Sequence, residues 1–234
     1  MPKVFFTCFI SWLTLSGCST FCSTSQPYVP AFEEDKNVNA EVNIGGSGIN
    51  VSAAYSPFRN FYAGASGNVF SAGADYHYAG GPLIGYTQRG DSLENFRTDI
   101  QLGCTIGSSR VGDLQDTSMV SGLDDFFSIH GHAFIGAEFG SARPFFLGAG
   151  ISFSNVNLHY RLMHYPAAVE GPFANHAGIG SIFVVYQKPM GTNNRAFFVM
   201  HAGYQRALPG IRNSIYIIPP VILRVGFNFR LGTK

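Results

Sequence analysis

Between Val221 and Leu231 every odd-numbered residue (Val221, Leu223, Val225, Phe227, Phe229, Leu231) is large and apolar, while the even positions include Arg224, Gly226, Asn228 and Arg230. Successive side chains of a β-strand point to opposite faces, so this segment has one apolar wall and one able to hold charge in water. The same alternation sets Ile100, Leu102, Cys104 and Ile106 against Asp99, Gln101, Gly103 and Thr105, and Phe198, Met200, Ala202 and Tyr204 against Val199, His201, Gly203 and Gln205. Ten strands are predicted, over 38–45, 48–56, 60–70, 82–88, 96–107, 126–139, 144–156, 173–187, 195–206 and 220–231. The pattern is weakest near 70–90. Eleven residues cross a bilayer as a tilted strand. A lone strand in lipid would leave its N–H and C=O groups unpaired at several kcal/mol each, so the expectation is an all-β, membrane-spanning antiparallel up-and-down β-barrel of ten strands, with eight or twelve as alternatives.

Connection lengths point the same way, because such barrels have short turns at one end and longer loops at the other. Short turns are expected near 57–59, 89–95, 140–143 and 188–194, and longer connections near 71–81, 108–125, 157–172 and 207–219, with Gly46-Ser47 closing the first hairpin. Proline removes a ladder hydrogen bond, so it should avoid the middle of paired strands. Pro82, Pro144 and Pro220 are expected to begin strands, and the other prolines to lie outside them. No segment after the N-terminal leader has helix caps with a 3.6-residue period.

Charged residues make up 12% of the chain, against about 25% in ordinary soluble domains. The longest later apolar run, 215–223, is split by Pro219-Pro220 and cannot span as a helix. The 28 glycines and 15% aromatics suit a curved sheet with interfacial rings. The expected interfacial rings are Tyr55, Phe61, Tyr62, Tyr86, Phe127, Phe139, Phe145, Phe153, Tyr186, Phe197 and Tyr204. A net charge of +1 gives no reason to propose a nucleic-acid partner.

Lys3 precedes an apolar run from Val4 to Leu15 that is too short to span and reads as a secretory signal. Leu15-Ser16-Gly17-Cys18 follows, and this resembles a bacterial lipobox. That resemblance implies cleavage before Cys18, whose sulfur would receive diacylglycerol. The alternatives are an ordinary signal cut elsewhere, or a free cysteine in an unprocessed leader. Residues 1–17 are thus expected to be the signal peptide, 18–37 a solvated tether ending in the acidic cluster Glu33-Glu34-Asp35, and 38–234 the barrel. Beyond Cys8 in the leader and the lipidated Cys18, only Cys22 and Cys104 remain, which makes a disulfide framework improbable.

The lipobox, the short tether, the first hairpin from Asn43 to Val51 and the final Val225-Gly226-Phe227-Asn228-Phe229-Arg230-Leu231 together resemble small outer-membrane β-barrel proteins of Gram-negative bacteria with a lipoprotein leader. The resemblance spans nearly the whole chain. It implies a location in the bacterial outer membrane, lipid-anchored at the N-terminus, with outer-membrane lipid and the barrel-assembly machinery as partners. Many such barrels end in an aromatic residue, whereas here Phe229 is followed by five more residues, so that signal is internal or altered. Related families include adhesion-type, pore and lipid-modifying barrels, so kinship fixes little about activity.

The candidate lumen-lining residues are Asp99, His130, His132, Glu138, His176, His201, Arg224 and Arg230. His130 and His132 share a face two residues apart and could chelate a metal, with Glu138 on the same parity; the simpler reading is polar side chains filling a lumen. A ten-stranded bore is only slightly wider than an eight-stranded one, which side chains can fill, so a plug is favoured over a pore. Asp124, Asp125, Ser128 and His130 cluster in sequence but match no family's active-site motif, so no enzyme and no cofactor is expected. The expected role is noncatalytic: structural, or surface contact through 108–125 and 157–172 with an unknown ligand. The alternatives are a small diffusion pore or apolar-solute channel, and a soluble lipocalin-like barrel, which would have the opposite polarity.

Overall fold

The computed structural model describes Tyr28 and residues 37–45, 48–58, 60–72, 75–89, 95–110, 121–140, 145–163, 172–191, 195–207 and 221–232. These form ten strands: β1 (Asn37–Gly45), β2 (Gly48–Phe58), β3 (Phe61–Ala72), β4 (Asp75–Arg89), β5 (Phe96–Arg110), β6 (Ser121–Phe139), β7 (Phe145–Met163), β8 (Pro172–Met190), β9 (Ala196–Ala207) and β10 (Val221–Gly232). Each pairs antiparallel with the next, and β10 pairs with β1 from Val38↔Leu231 to Gly45↔Arg224, closing the barrel. Closure leaves no edge along that seam, as a lipid-embedded sheet requires. The end where β1 begins and β10 finishes is the terminal end; the other is the loop end.

Alternation sorts the walls as expected. On β10, Arg224, Asn228 and Arg230 are buried inside while Phe227, Phe229 and Leu231 are exposed outside. The outer face carries Ile44, Val51, Ile84, Ile100, Leu102, Ile106, Ile129, Ile135, Ile151, Ile182 and Val184, all exposed. Among the described residues of the strands, charged side chains on that face lie only at its margins: Asp125 and Arg206 towards the loop end, Lys188 at the terminal end. This is the opposite of the lipocalin-like polarity. At the terminal end an aromatic belt runs through Phe61–Tyr86, Phe139–Phe145, Phe145–Tyr186 and Phe198–Phe227, with ring centres 5.3–6.4 Å apart. Tyr62 and Phe197, expected in that belt, instead point into the lumen and are buried.

Several boundaries differ from the sequence expectation. β4 starts at Asp75 rather than residue 82, so the long connection expected over 71–81 is only residues 73–74. Gly80-Gly81-Pro82 blurs the alternation there, yet Tyr76–Tyr78 upstream pair fully with β3. Pro82 therefore sits inside a strand, at a gap in the β4–β5 ladder between Gly80↔Ile106 and Leu83↔Gly103 that accommodates its missing N–H. Pro57 likewise lies at a register shift between Tyr55 and Phe58, and Pro189 in the last turn-ward residues of β8. β6, β7 and β8 each run 19 residues, well beyond the 9–11 that cross a bilayer. The expected contact loops 108–125 and 157–172 are thus partly strand, and the barrel has one tall wall.

Candidate functional site

Inside the barrel, the terminal half is packed with apolar side chains. Phe134, Phe146, Phe183, Val185, Phe197 and Val199 form one buried cluster. The guanidinium of Arg97 lies over the Phe146 ring at 4.5 Å, and that of Arg230 over Phe197 at 4.9 Å. Cation–π contact lets these charges sit among rings. The alternation alone leads to an expectation of polar groups here.

On the facing side, Tyr28 from the N-terminal segment lies within the lumen, 2% exposed, against Ala54, Tyr62 and Leu83. Its hydroxyl donates to the Asn39 backbone oxygen at 2.8 Å and also contacts Asn39 Oδ1, and its N–H reaches Gln101 Oε1 at 3.4 Å. Tyr62 meets it edge-on and donates its own hydroxyl to Asp99 Oδ1 at 2.8 Å. Burial, and after it the carboxylates of Glu41 and Asp99, pushes the Tyr28 hydroxyl well above its usual pKa of 10.0. The expected solvated tether is therefore tied into the barrel at this residue.

Next to Asn39 is a network that sequence reasoning missed. Glu41 is fully buried, 3.1 Å from His201 Nε2, and it accepts hydrogen bonds from Asn43 Nδ2 and from Asn228 Nδ2, the latter at 3.1 Å. Asn39 and Asn228 exchange amide hydrogen bonds at 2.7 and 2.9 Å. Register assembles the cluster: Asn228 is opposite Glu41, and Arg224 opposite His201. The signal was available, since Asn37, Asn39, Glu41 and Asn43 alternate with Val38, Ala40, Val42 and Ile44.

Of the candidate lumen residues, Asp99, His130, His132, His201, Arg224 and Arg230 are buried on the inner wall. Glu138 is not. It shares their parity but belongs to the penultimate pair of β6, opposite Phe146, where the wall ends and the side chain reaches solvent. The side chain of His176 and that of Asp124 lie outside the described residues, as do Cys18 and Cys22. Cys104 is a free thiol, partly exposed on the outer wall. Ser128 is buried, and its hydroxyl has no hydrogen-bond partner among the described residues.

A closed, ten-stranded antiparallel barrel with an apolar exterior, an aromatic belt and a polar inner wall is an outer-membrane-type β-barrel. No protein family matches the sequence, and no curated protein is significantly similar to it. Among solved structures the chain is similar to the translocator domain of autotransporter NalP from Neisseria meningitidis, with a TM-score of 0.46 and 12% identity over 86% of this chain and 90% of that one.

Proposed function

We propose that this chain is a noncatalytic outer-membrane lipoprotein, anchored through Cys18, whose barrel is a closed scaffold acting in envelope structure or surface contact. The observation that supports the closed reading most directly is Tyr28, held in the lumen opposite the apolar cluster. Together the two leave side chains where a channel would run. The tall wall of β6, β7 and β8 supports the surface-contact role at the loop end, where these strands rise beyond the length that crosses a bilayer. Planar-bilayer recording of the purified full chain tests the scaffold: no steady conductance is expected at any voltage. Sustained single-channel steps from the wild type would establish the rival diffusion pore, for which buried Arg224 and Glu41 would be the charged lining. Palmitate labelling tests the anchor, and label retained by Cys18→Ala would remove it.

A further inference from the structure

The loop-end half of the lumen is lined mostly by hydroxyls, amides and imidazoles, with Phe126, Val156 and Ile179 among them. His130 and His132 lie there on β6, two residues apart and therefore on one face. His130 is 2% and His132 6% exposed. Their ring centres are 5.3 Å apart with the planes tilted by 44°. Buried polar groups kept only to fill space are normally hydrogen-bonded. Here His130 Nδ1 and both ring nitrogens of His132 have no partner among the described residues.

We propose that His130 and His132 together hold a divalent transition-metal ion of the zinc or copper(II) class, with water completing its coordination. Two imidazoles sharing a tetrahedral ion, each nitrogen about 2.0–2.1 Å from it, have ring centres roughly 5 Å apart, and the observed spacing meets that requirement. Neutral imidazole is the ligand these ions favour over magnesium or calcium. Among the described residues no third His, Cys, Asp or Glu joins the pair, and water would fill the remaining positions. Acceptors for such water are present. Ser128, on the same face of β6, and Thr105, its register partner on β5, both have unpartnered buried hydroxyls. Gln101 lies opposite His132, and Asp99, two residues away on the same face of β5, brings a carboxylate acceptor to the same wall. Space for the pair comes from Gly103, opposite His130: a Cβ there would lie 2.4 Å from His130 Nε2. His77, also buried with both nitrogens unpartnered, is stacked on Phe126 and lies on β4, across β5 from the pair.

Zinc chloride added to the metal-free full chain in detergent, followed by competition with a chromophoric chelator, tests the site. One zinc per chain in the micromolar range is expected, weakened at least tenfold by either His130→Asn or His132→Asn and unchanged by His77→Asn. Equal binding by the double variant, or none by the wild type, overturns the proposal. Copper(II)-loaded wild type gives a second readout that needs no variant to fold: its electron paramagnetic resonance spectrum should show coupling to two imidazole nitrogens, and coupling to one or none overturns it.

Discussion

Ile151→Arg separates a membrane barrel from a water-soluble one by the sign of its effect. Ile151 sits midway along the outward face of β7, between Ala133 and Ile182 on the neighbouring strands, and is 62% exposed. In water, replacing so exposed an isoleucine with arginine changes stability by no more than about 0.5 kcal/mol. In hydrocarbon, arginine near the bilayer midplane costs about 2–4 kcal/mol, and losing the isoleucine's apolar contact adds about 1 kcal/mol, for a total of about 3–5 kcal/mol. Asn155→Arg is the internal control. It lies four residues further along the same face, beyond Phe153 at the border of the apolar band, where the effect should fall to about 0–1 kcal/mol. Equilibrium unfolding in phospholipid vesicles, read by circular dichroism and heat-modifiable gel mobility, measures both. Equal values for the two variants, or a loss under 1 kcal/mol at Ile151, would refute the assignment of this wall to lipid.

Three further outcomes test the lumen. Gly85→Ala should destabilise the barrel by about 1–3 kcal/mol, since a Cβ there falls 2.1 Å from Tyr62 Cζ and must displace a ring held by Tyr28 and Asp99; a normal melting temperature would show the ring yields freely. Glu41→Leu leaves His201, Asn43, Asn228 and Arg224 facing an apolar side chain, and should lower unfolding free energy by about 3 kcal/mol, with Glu41→Gln affected less; a loss under 1 kcal/mol for leucine would mean the network contributes little. Above pH 10 the folded chain keeps the Tyr28 proton that the unfolded chain releases, so stability present below pH 10 is lost as pH rises towards the raised value. Tyr28→Phe should therefore show a shallower alkaline loss than the wild type in the same unfolding assay, and identical slopes would place Tyr28 in solvent.

Much of the architecture could be read from period alone. The two-residue repeat along ten segments, clearest on β10, β9 and β5, set strand number, membrane polarity and the inward position of Asp99, His130, His132, His201, Arg224 and Arg230. It failed where local chemistry masked the repeat. Gly80-Gly81-Pro82 has no side-chain contrast to report, so β4, expected over 82–88, looked about half its 15 residues. Strand that rises beyond the bilayer carries no lipid-facing band, so the upper parts of β6 and β7 read as loop. The aromatic rings illustrate a deeper limit. Tyr62 and Phe197 look like belt residues by composition, and only the parity of their own strands turns them inward. Tyr28 belongs to no strand, so nothing periodic could place it.

How a ten-stranded bore is filled follows from which residues face each other across the inner wall. Phe134 is opposite Gly150 and has its ring over Gly148, Phe146 covers Gly136, Phe183 covers Gly150, Phe126 covers Gly107, and Tyr62 covers Gly85. In each case the glycine's missing side chain is the space the ring occupies, so the rings lie flat against the wall instead of crossing the lumen. Glycine weakens a strand by itself, but here each loss is offset by the area of an aromatic face. His130 over Gly103 repeats this geometry with an imidazole, and it does so where the apolar cluster has ended and hydroxyls line the wall. An imidazole in a phenylalanine's place gains nothing from packing that phenylalanine would not gain, and it brings a buried ring nitrogen that needs a partner. A filling role alone would therefore favour His130→Phe. That variant should match or exceed wild-type stability in metal-free lipid vesicles, and it should lose the stabilisation that added zinc gives the wild type. A His130→Phe barrel less stable than wild type without metal would instead make the histidine structural.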